Sequence, residues 1–171
     1  MYAVSDRVEM TPADLVVSLM DFSGNVLEGR SLNISVAGST SGKPLTLSRQ
    51  ELLKNRDAES VFLLCELRVA GKTVSYNSYF FDAMKNLALP RPAIELEVTP
   101  LEIGFRISLV SDKLARNVYL SLGSAEGWFS DNYFDLIPSR KVEVDLVPLS
   151  AMDPNAVREN LRVVSLVDAA R

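Results

Sequence analysis

The chain has 171 residues, no histidine and one cysteine, with a hydrophobic fraction of 47%, a formal net charge of −4 and a pI near 4.9. That apolar content supports a packed core rather than a disordered tail; the acidic balance, with no basic run longer than Arg140-Lys141, excludes a nucleic-acid-binding face and a polybasic membrane patch. Without histidine, Ser-His-Asp and Cys-His nucleophiles, histidine metal sites and histidine pH switching are excluded, and a lone Cys65 excludes an intrachain disulfide and a cysteine-cluster zinc site.

In chain order, "MYAVSDRVEMTPADL" lacks the charged-then-apolar pattern of a signal peptide, and no apolar stretch approaches membrane-spanning length. A soluble chain without an address of its own is expected. The missing disulfides leave the compartment open, a periplasmic or secreted one included. "LVVSLMDF" is followed by the turn residues Ser23-Gly24-Asn25. Leu32, Ile34 and Val36 then alternate with Asn33 and Ser35, so one face of a strand is apolar. A Gly/Ser-rich loop is expected over 37–44. Ser48-Arg49-Gln50-Glu51 has the capping-box pattern that starts a short helix. Val61, Leu63, Cys65, Leu67 and Val69 alternate along the next strand, which places Cys65 as a buried, inert thiol. Ala70-Gly71-Lys72 turns that strand back as a tight hairpin.

Pro90 and Pro92 interrupt the alternating runs in "LALPRPAIELEV". Proline lacks an N–H and fixes φ, so the pair suits a stiff extended linker. About 80–90 residues lie on each side, enough for one immunoglobulin-sized sandwich each. The expected fold is all-β: two tandem immunoglobulin-like antiparallel β-sandwiches, residues 1–90 and 91–171. Tyr76, Tyr79, Phe80 and Phe81, just before the linker, are candidates for the contact between them.

The second half repeats the two-residue period at Ile94, Leu96 and Val98, at Ile103, Phe105, Ile107 and Leu109, at Val118, Leu120 and Leu122, and at Val142, Val144 and Leu146. "MDPNAVRENL" predicts a turn of helix with Asp153 as N-cap and Pro154 at the first helical position. Between these lies "GWFSDNYFDLIP", Gly127 to Pro138, where aromatics flank Ser130-Asp131-Asn132. Two readings stay open. In the preferred one the stretch is core and corner. Phe129 and Phe134 anchor the core, Ser130 to Asn132 make a tight turn or bulge in which Asp131 and Asn132 bond local backbone and tolerate left-handed φ, and Asp135 satisfies the corner. In the other it is a carbohydrate platform, with Trp128 and Tyr133 stacking on sugar faces and Asp131 and Asn132 bonding hydroxyls. Trp128 or Tyr133 packing against another domain is a further use of the same rings.

Ser111 to Pro138 closely resembles the C-terminal immunoglobulin-like domain of β-mannosidase-type enzymes of glycoside hydrolase family 2. The positions that carry the likeness are Ser111, Asp112, Ala115, Arg116 and Val118, then Phe129 to Asn132, Phe134 to Leu136, and Pro138. "DFSGNVLEG" and Phe80, Phe81, Lys85, Leu87, Leu89 and Pro90 resemble, less specifically, the sandwich that precedes it, and "LRVVSLVDA" resembles the closing strand. Two departures stand out: Pro138-Ser139-Arg140 occupies the place of the family's Pro-Gly-Glu turn, so a different turn is expected at that corner, and Ala83-Met84 replaces a proline before Lys85.

The resemblance implies a parent enzyme with a TIM barrel and N-terminal sandwiches as partner domains, hydrolysing terminal β-linked mannose, with its catalytic glutamates in the barrel. No residue of this chain matches a catalytic motif of that family. Glu95/Glu97 and Glu143/Asp145 sit at i,i+2 on the polar face of strands, an ordinary solvated face rather than two carboxyls across a cleft; Asp131/Asp135 is the remaining pair. The expected function is therefore a non-catalytic accessory fragment without cofactor or metal. The alternative is a carbohydrate-binding module for mannose-containing, mannan-like glycans.

Overall fold

The computed structural model describes residues 3–5, 11–36, 40–42 and 45–169. The chain divides into two compact units, Met1–Asp21 with Asn25–Ala88, and Phe22–Gly24 with Leu89–Arg171. Both are built of antiparallel strands, the all-β tandem architecture expected from the alternation.

In the first unit β1 (Ala3–Ser5) pairs with β4 (Thr40–Gly42). β2 (Thr11–Asp21), β3 (Val26–Val36), β5 (Val61–Val69) and β6 (Lys72–Phe80) form a four-stranded sheet in the order β3-β2-β5-β6. Leu15, Val17 and Leu19 of β2 share a core with Val61, Leu63 and Phe81. Leu52 of helix α1 (Arg49–Leu53) closes that core, with Leu45, Leu47 and Ala58 packed around it. Each such aliphatic side chain contributes about 1.5–3 kcal/mol by leaving water. The β5–β6 hairpin turns through Ala70 (φ 49°) and Gly71 (φ 77°), two left-handed residues that match the twist of the strands.

Two local expectations change. α1 forms where the capping box stands, but the Ser48 side chain makes no cap hydrogen bond; the Ser48 carbonyl accepts the first helical bond, from the Leu52 N–H. Thr40–Gly42, inside the expected Gly/Ser loop, is strand, and residues 37–39, 43 and 44 of that loop lie outside the described residues. A short 3-10 turn, Met84–Asn86, precedes the proline segment, and residues 87–93 hold no helix or strand.

The second unit is a sandwich of two sheets. β7 (Ile94–Pro100), β8 (Phe105–Ser111), β10 (Gly127–Phe129) and β12 (Val142–Pro148) form one, in the order β10-β12-β8-β7. β9 (Ala115–Ser121), β11 (Phe134–Leu136) and β13 (Arg162–Val164) form the other, in the order β11-β9-β13. Between them Ile107, Leu109, Val144 and Leu146 meet Val118, Leu120 and Leu136, every one of them at most 1% exposed. Helix α2 (Pro154–Asn160) adds Val157 to this core and starts as its sequence predicts: the Asp153 carboxylate accepts from the N–H groups of Asn155 and Ala156, with Pro154 at the first helical position.

The alternation overreaches at two residues. Ile103 is 74% exposed because it lies in the turn before β8, and Leu96 is 41% exposed because β7 is the edge strand of its sheet. The tail is also not one closing strand: β13 ends at Val164, and helix α3 (Leu166–Ala169) follows, the Asp168 carboxylate accepting from both the N–H and the hydroxyl of Ser165.

Cys65 is half-buried, and burial pushes its thiol up to about 11 from an ordinary 9.0. At pH 8 it should react with Ellman's reagent about a hundred-fold more slowly in the native chain than in denaturant, since the thiolate is the nucleophile. Equal rates would mean that the first core leaves the thiol open.

Candidate functional site

"GWFSDNYFD" carries the chain from one sheet of the second unit to the other. β10 pairs with β12 (Trp128 opposite Val147), whereas β11 pairs with β9 (Phe134 opposite Val118). Ser130-Asp131-Asn132 is thus neither a hairpin turn nor a bulge within one sheet; it is the crossover.

The polar residues of the crossover hold backbone. The Ser130 N–H donates to the Asp145 carbonyl (2.8 Å), and the Asp145 N–H donates to the Ser130 hydroxyl (2.9 Å). The Asn132 amide clamps Leu120 on both sides: its Oδ1 accepts the Leu120 N–H (2.7 Å) and its Nδ2 donates to the Leu120 carbonyl (2.9 Å). The register that sets Phe134 opposite Val118 would set Asn132 opposite Leu120, so the side-chain amide acts as a surrogate peptide and adds one rung to the β9–β11 ladder. Asp131 accepts the Asn132 N–H (2.7 Å). The Asp135 carboxylate accepts the Asn117 N–H (3.0 Å) and lies 3.3 Å from the Arg116 Nε.

The left-handed residue is Tyr133 (φ 62°), not Asp131 or Asn132. Its N–H is tied to the Val118 carbonyl (2.8 Å), and its ring stacks on Tyr119 at 5.1 Å. A tyrosine in this conformation costs on the order of 1–2 kcal/mol; the bond and the stack offset that cost and fix the ring's direction. Trp128 is 72% exposed and Tyr133 67%, whereas Phe129 and Phe134 turn inward and pack half-buried against the sandwich core. At the end of the stretch Pro138 is buried, and Ser139 holds φ 60°. The corner therefore turns through the left-handed region with serine where the family pattern has glycine.

The positions before the stretch that carry the family resemblance also hold the fold. Asp112 accepts the Ala93 N–H (2.7 Å), the Ser111 hydroxyl donates to the Lys113 carbonyl (2.6 Å), and Ala115 and Val118 are core.

Among the carboxylate pairs, Glu143 and Asp145 both face Arg106, at 3.8 and 2.8 Å, and the guanidinium holds the Asp145 carboxyl below its usual range. Glu95 and Glu97 are exposed on the edge strand β7. Among the described residues, no group of three or more Asp, Glu or Cys is placed to hold a metal ion.

Two features were missed in the sequence. Tyr119 stands beside the corner, and with Trp128 and Leu149 it lines an open groove of about 490 Å³ that also includes Ser121, Glu126 and Asn132. The alternation in Val118-Tyr119-Leu120 already pointed Tyr119 outward; nothing local marks Leu149. In the first unit, Phe81 is 4% exposed and belongs to that unit's own core, and Phe80 stacks on Phe62 at 5.7 Å. Tyr79 meets the Phe81 ring edge-on at 5.4 Å, and it and Tyr76 stand exposed along a cleft of about 630 Å³.

Comparison with known proteins places both halves. The family model for the mannosidase Ig/CBM-like domain matches residues 1–86, and that for the Ig-fold domain of mannosidases (Ig_mannosidase) matches residues 89–169. No curated protein sequence matches. Among solved structures, the β-D-mannosidase from Dictyoglomus thermophilum superposes with a TM-score of 0.77 at 21% identity, covering 96% of this chain and 20% of that one. The exo-chitosanase CsxA of Amycolatopsis orientalis superposes with a TM-score of 0.64 at 11% identity, covering 96% of this chain and 24% of that one. At these identities the likeness is one of fold, and the chain spans only a fifth to a quarter of the length of these glycosidases. The chain belongs to the mannosidase Ig/CBM-like family and carries, in tandem, two immunoglobulin-like domains of the kinds described for mannosidases.

Proposed function

We propose that the chain is the pair of non-catalytic C-terminal accessory domains, 1–90 and 91–171, of an enzyme that hydrolyses terminal β-linked mannose, and that its partners are the enzyme's own TIM barrel and N-terminal sandwiches. The observation that carries this reading is the match of both domain families in tandem, set against neighbours four to five times longer. Mannose is preferred as substrate because the neighbour with the TM-score of 0.77 is a β-D-mannosidase, ahead of the exo-chitosanase at 0.64. The carboxylates support a scaffold role: Asp135 holds backbone, and Glu143 and Asp145 share one arginine instead of facing each other across a cleft. Sequencing the gene upstream of Met1 tests this. The reading expects an open frame that continues into a catalytic barrel, and a stop codon directly upstream would end it.

A second reading is favoured by the exposure of Trp128 and Tyr133: a carbohydrate-binding module for mannan-like glycans, with the two rings as stacking platform. Of the polar residues assigned to it, Asn132 already spends its amide on Leu120, while exposed Asp131 keeps lone pairs for hydroxyls. Retardation in a mannan-containing gel, lost in Trp128→Ala, is the expected result.

A further inference from the structure

We infer that a saccharide bound at this corner sits in the groove between Trp128 and Tyr119, with Glu126 and Ser121 as the hydrogen-bonding side chains in place of Asn132. The inference rests on the carbohydrate-binding reading and locates its ligand.

Both residues line the same open groove of about 490 Å³, within the range of small-ligand sites. The Tyr119 ring is held before any ligand arrives by its stack on Tyr133, while strand pairing with Val164 and Val147 fixes the backbone of Tyr119 on β9 and of Trp128 on β10. The left-handed Tyr133, tied to the Val118 carbonyl, acts as a brace behind the Tyr119 ring. Prefixed aromatic surface lowers the ordering cost of binding.

The rest of the lining selects the ligand class. Exposed Glu126 offers a carboxylate that can accept from two neighbouring hydroxyls, Ser121 adds a hydroxyl, and exposed Leu149 adds an apolar edge. An apolar protein segment laid here would strip water from the carboxylate without replacing its hydrogen bonds. A sugar presents C–H faces to the rings and hydroxyls to the carboxylate, and so satisfies both. The ligand class is a neutral oligosaccharide.

The test is an NMR titration of the 171-residue chain with mannobiose and mannotriose, followed at the Trp128 Nε1–H and at the Tyr119, Glu126 and Tyr133 amides. Saturable shifts are expected at all four. Tyr119→Ala should weaken binding about ten-fold, the scale of one lost aromatic contact. Glu126→Gln, a surface change that keeps shape, should weaken it about three- to ten-fold. Saturable shifts at Trp128 and Tyr133 that neither variant alters would overturn the groove and leave the outer platform standing. No shift at millimolar sugar would overturn both. Concentration-dependent dimers abolished by Tyr119→Ala, without any sugar effect, would make the groove a protein contact and overturn the inference as well.

Discussion

Asn132→Ala is expected to destabilise the second unit by about 2–4 kcal/mol, whereas Trp128→Ala four residues earlier changes stability by no more than about 0.5 kcal/mol. The contrast runs against residue size, since the tryptophan is far larger than the asparagine. Trp128 is 72% exposed and loses little on truncation. Asn132 is half-buried, and its amide is the partner of both the N–H and the carbonyl of Leu120, a residue 1% exposed. Truncation leaves two shielded backbone groups without that partner at the point where β11 parts from β9. Urea denaturation followed by far-UV circular dichroism measures both variants. Equal, small effects would mean that water replaces the amide and that the clamp does not hold the crossover.

Gly104→Ala is the second large effect, with an expected loss of about 3 kcal/mol or more. Gly104 has φ 82°, a region that L side chains rarely adopt, and a Cβ there would be driven into the carbonyl oxygen of Leu146 on β12. That contact is backbone, so no rotamer change relieves it. The turn also closes with the Leu101 N–H donating to the Gly104 carbonyl (3.0 Å), so displacing Gly104 unlatches the β7–β8 hairpin and presses on the strand that pairs with β10. A thermal melt that matches the parent chain would contradict this packing.

What the sequence made legible was local. Along Phe105–Ser111 the two-residue period placed Phe105, Ile107 and Leu109 in the core, and all three are buried there while Arg106 and Ser108 are not. The Asp153-Pro154 start of α2 and the Ala70-Gly71 hairpin were also readable, because a cap and a two-residue turn depend on a handful of neighbouring residues. Pairing between distant strands was not. Nothing in "GWFSDNYFD" says that Phe129 joins β12 and Phe134 joins β9, since alternation fixes a strand's faces and not its partners. For the same reason Asn132 could be read either as a sugar ligand or as a backbone clamp. Only the position of Leu120, twelve residues earlier in the chain, separates the two. Tyr133 was harder still: a left-handed tyrosine has no sequence signature and exists because its N–H and ring both find partners on β9.

On the proposed function, these domains serve a glycosidase without performing its chemistry. The most direct measurement compares hydrolysis of an aryl β-mannoside by the pure 171-residue chain and by the product of the full reading frame. The account predicts turnover by the longer protein and none by the chain alone; clear turnover by the pure chain, abolished by a carboxylate substitution within it, would contradict it.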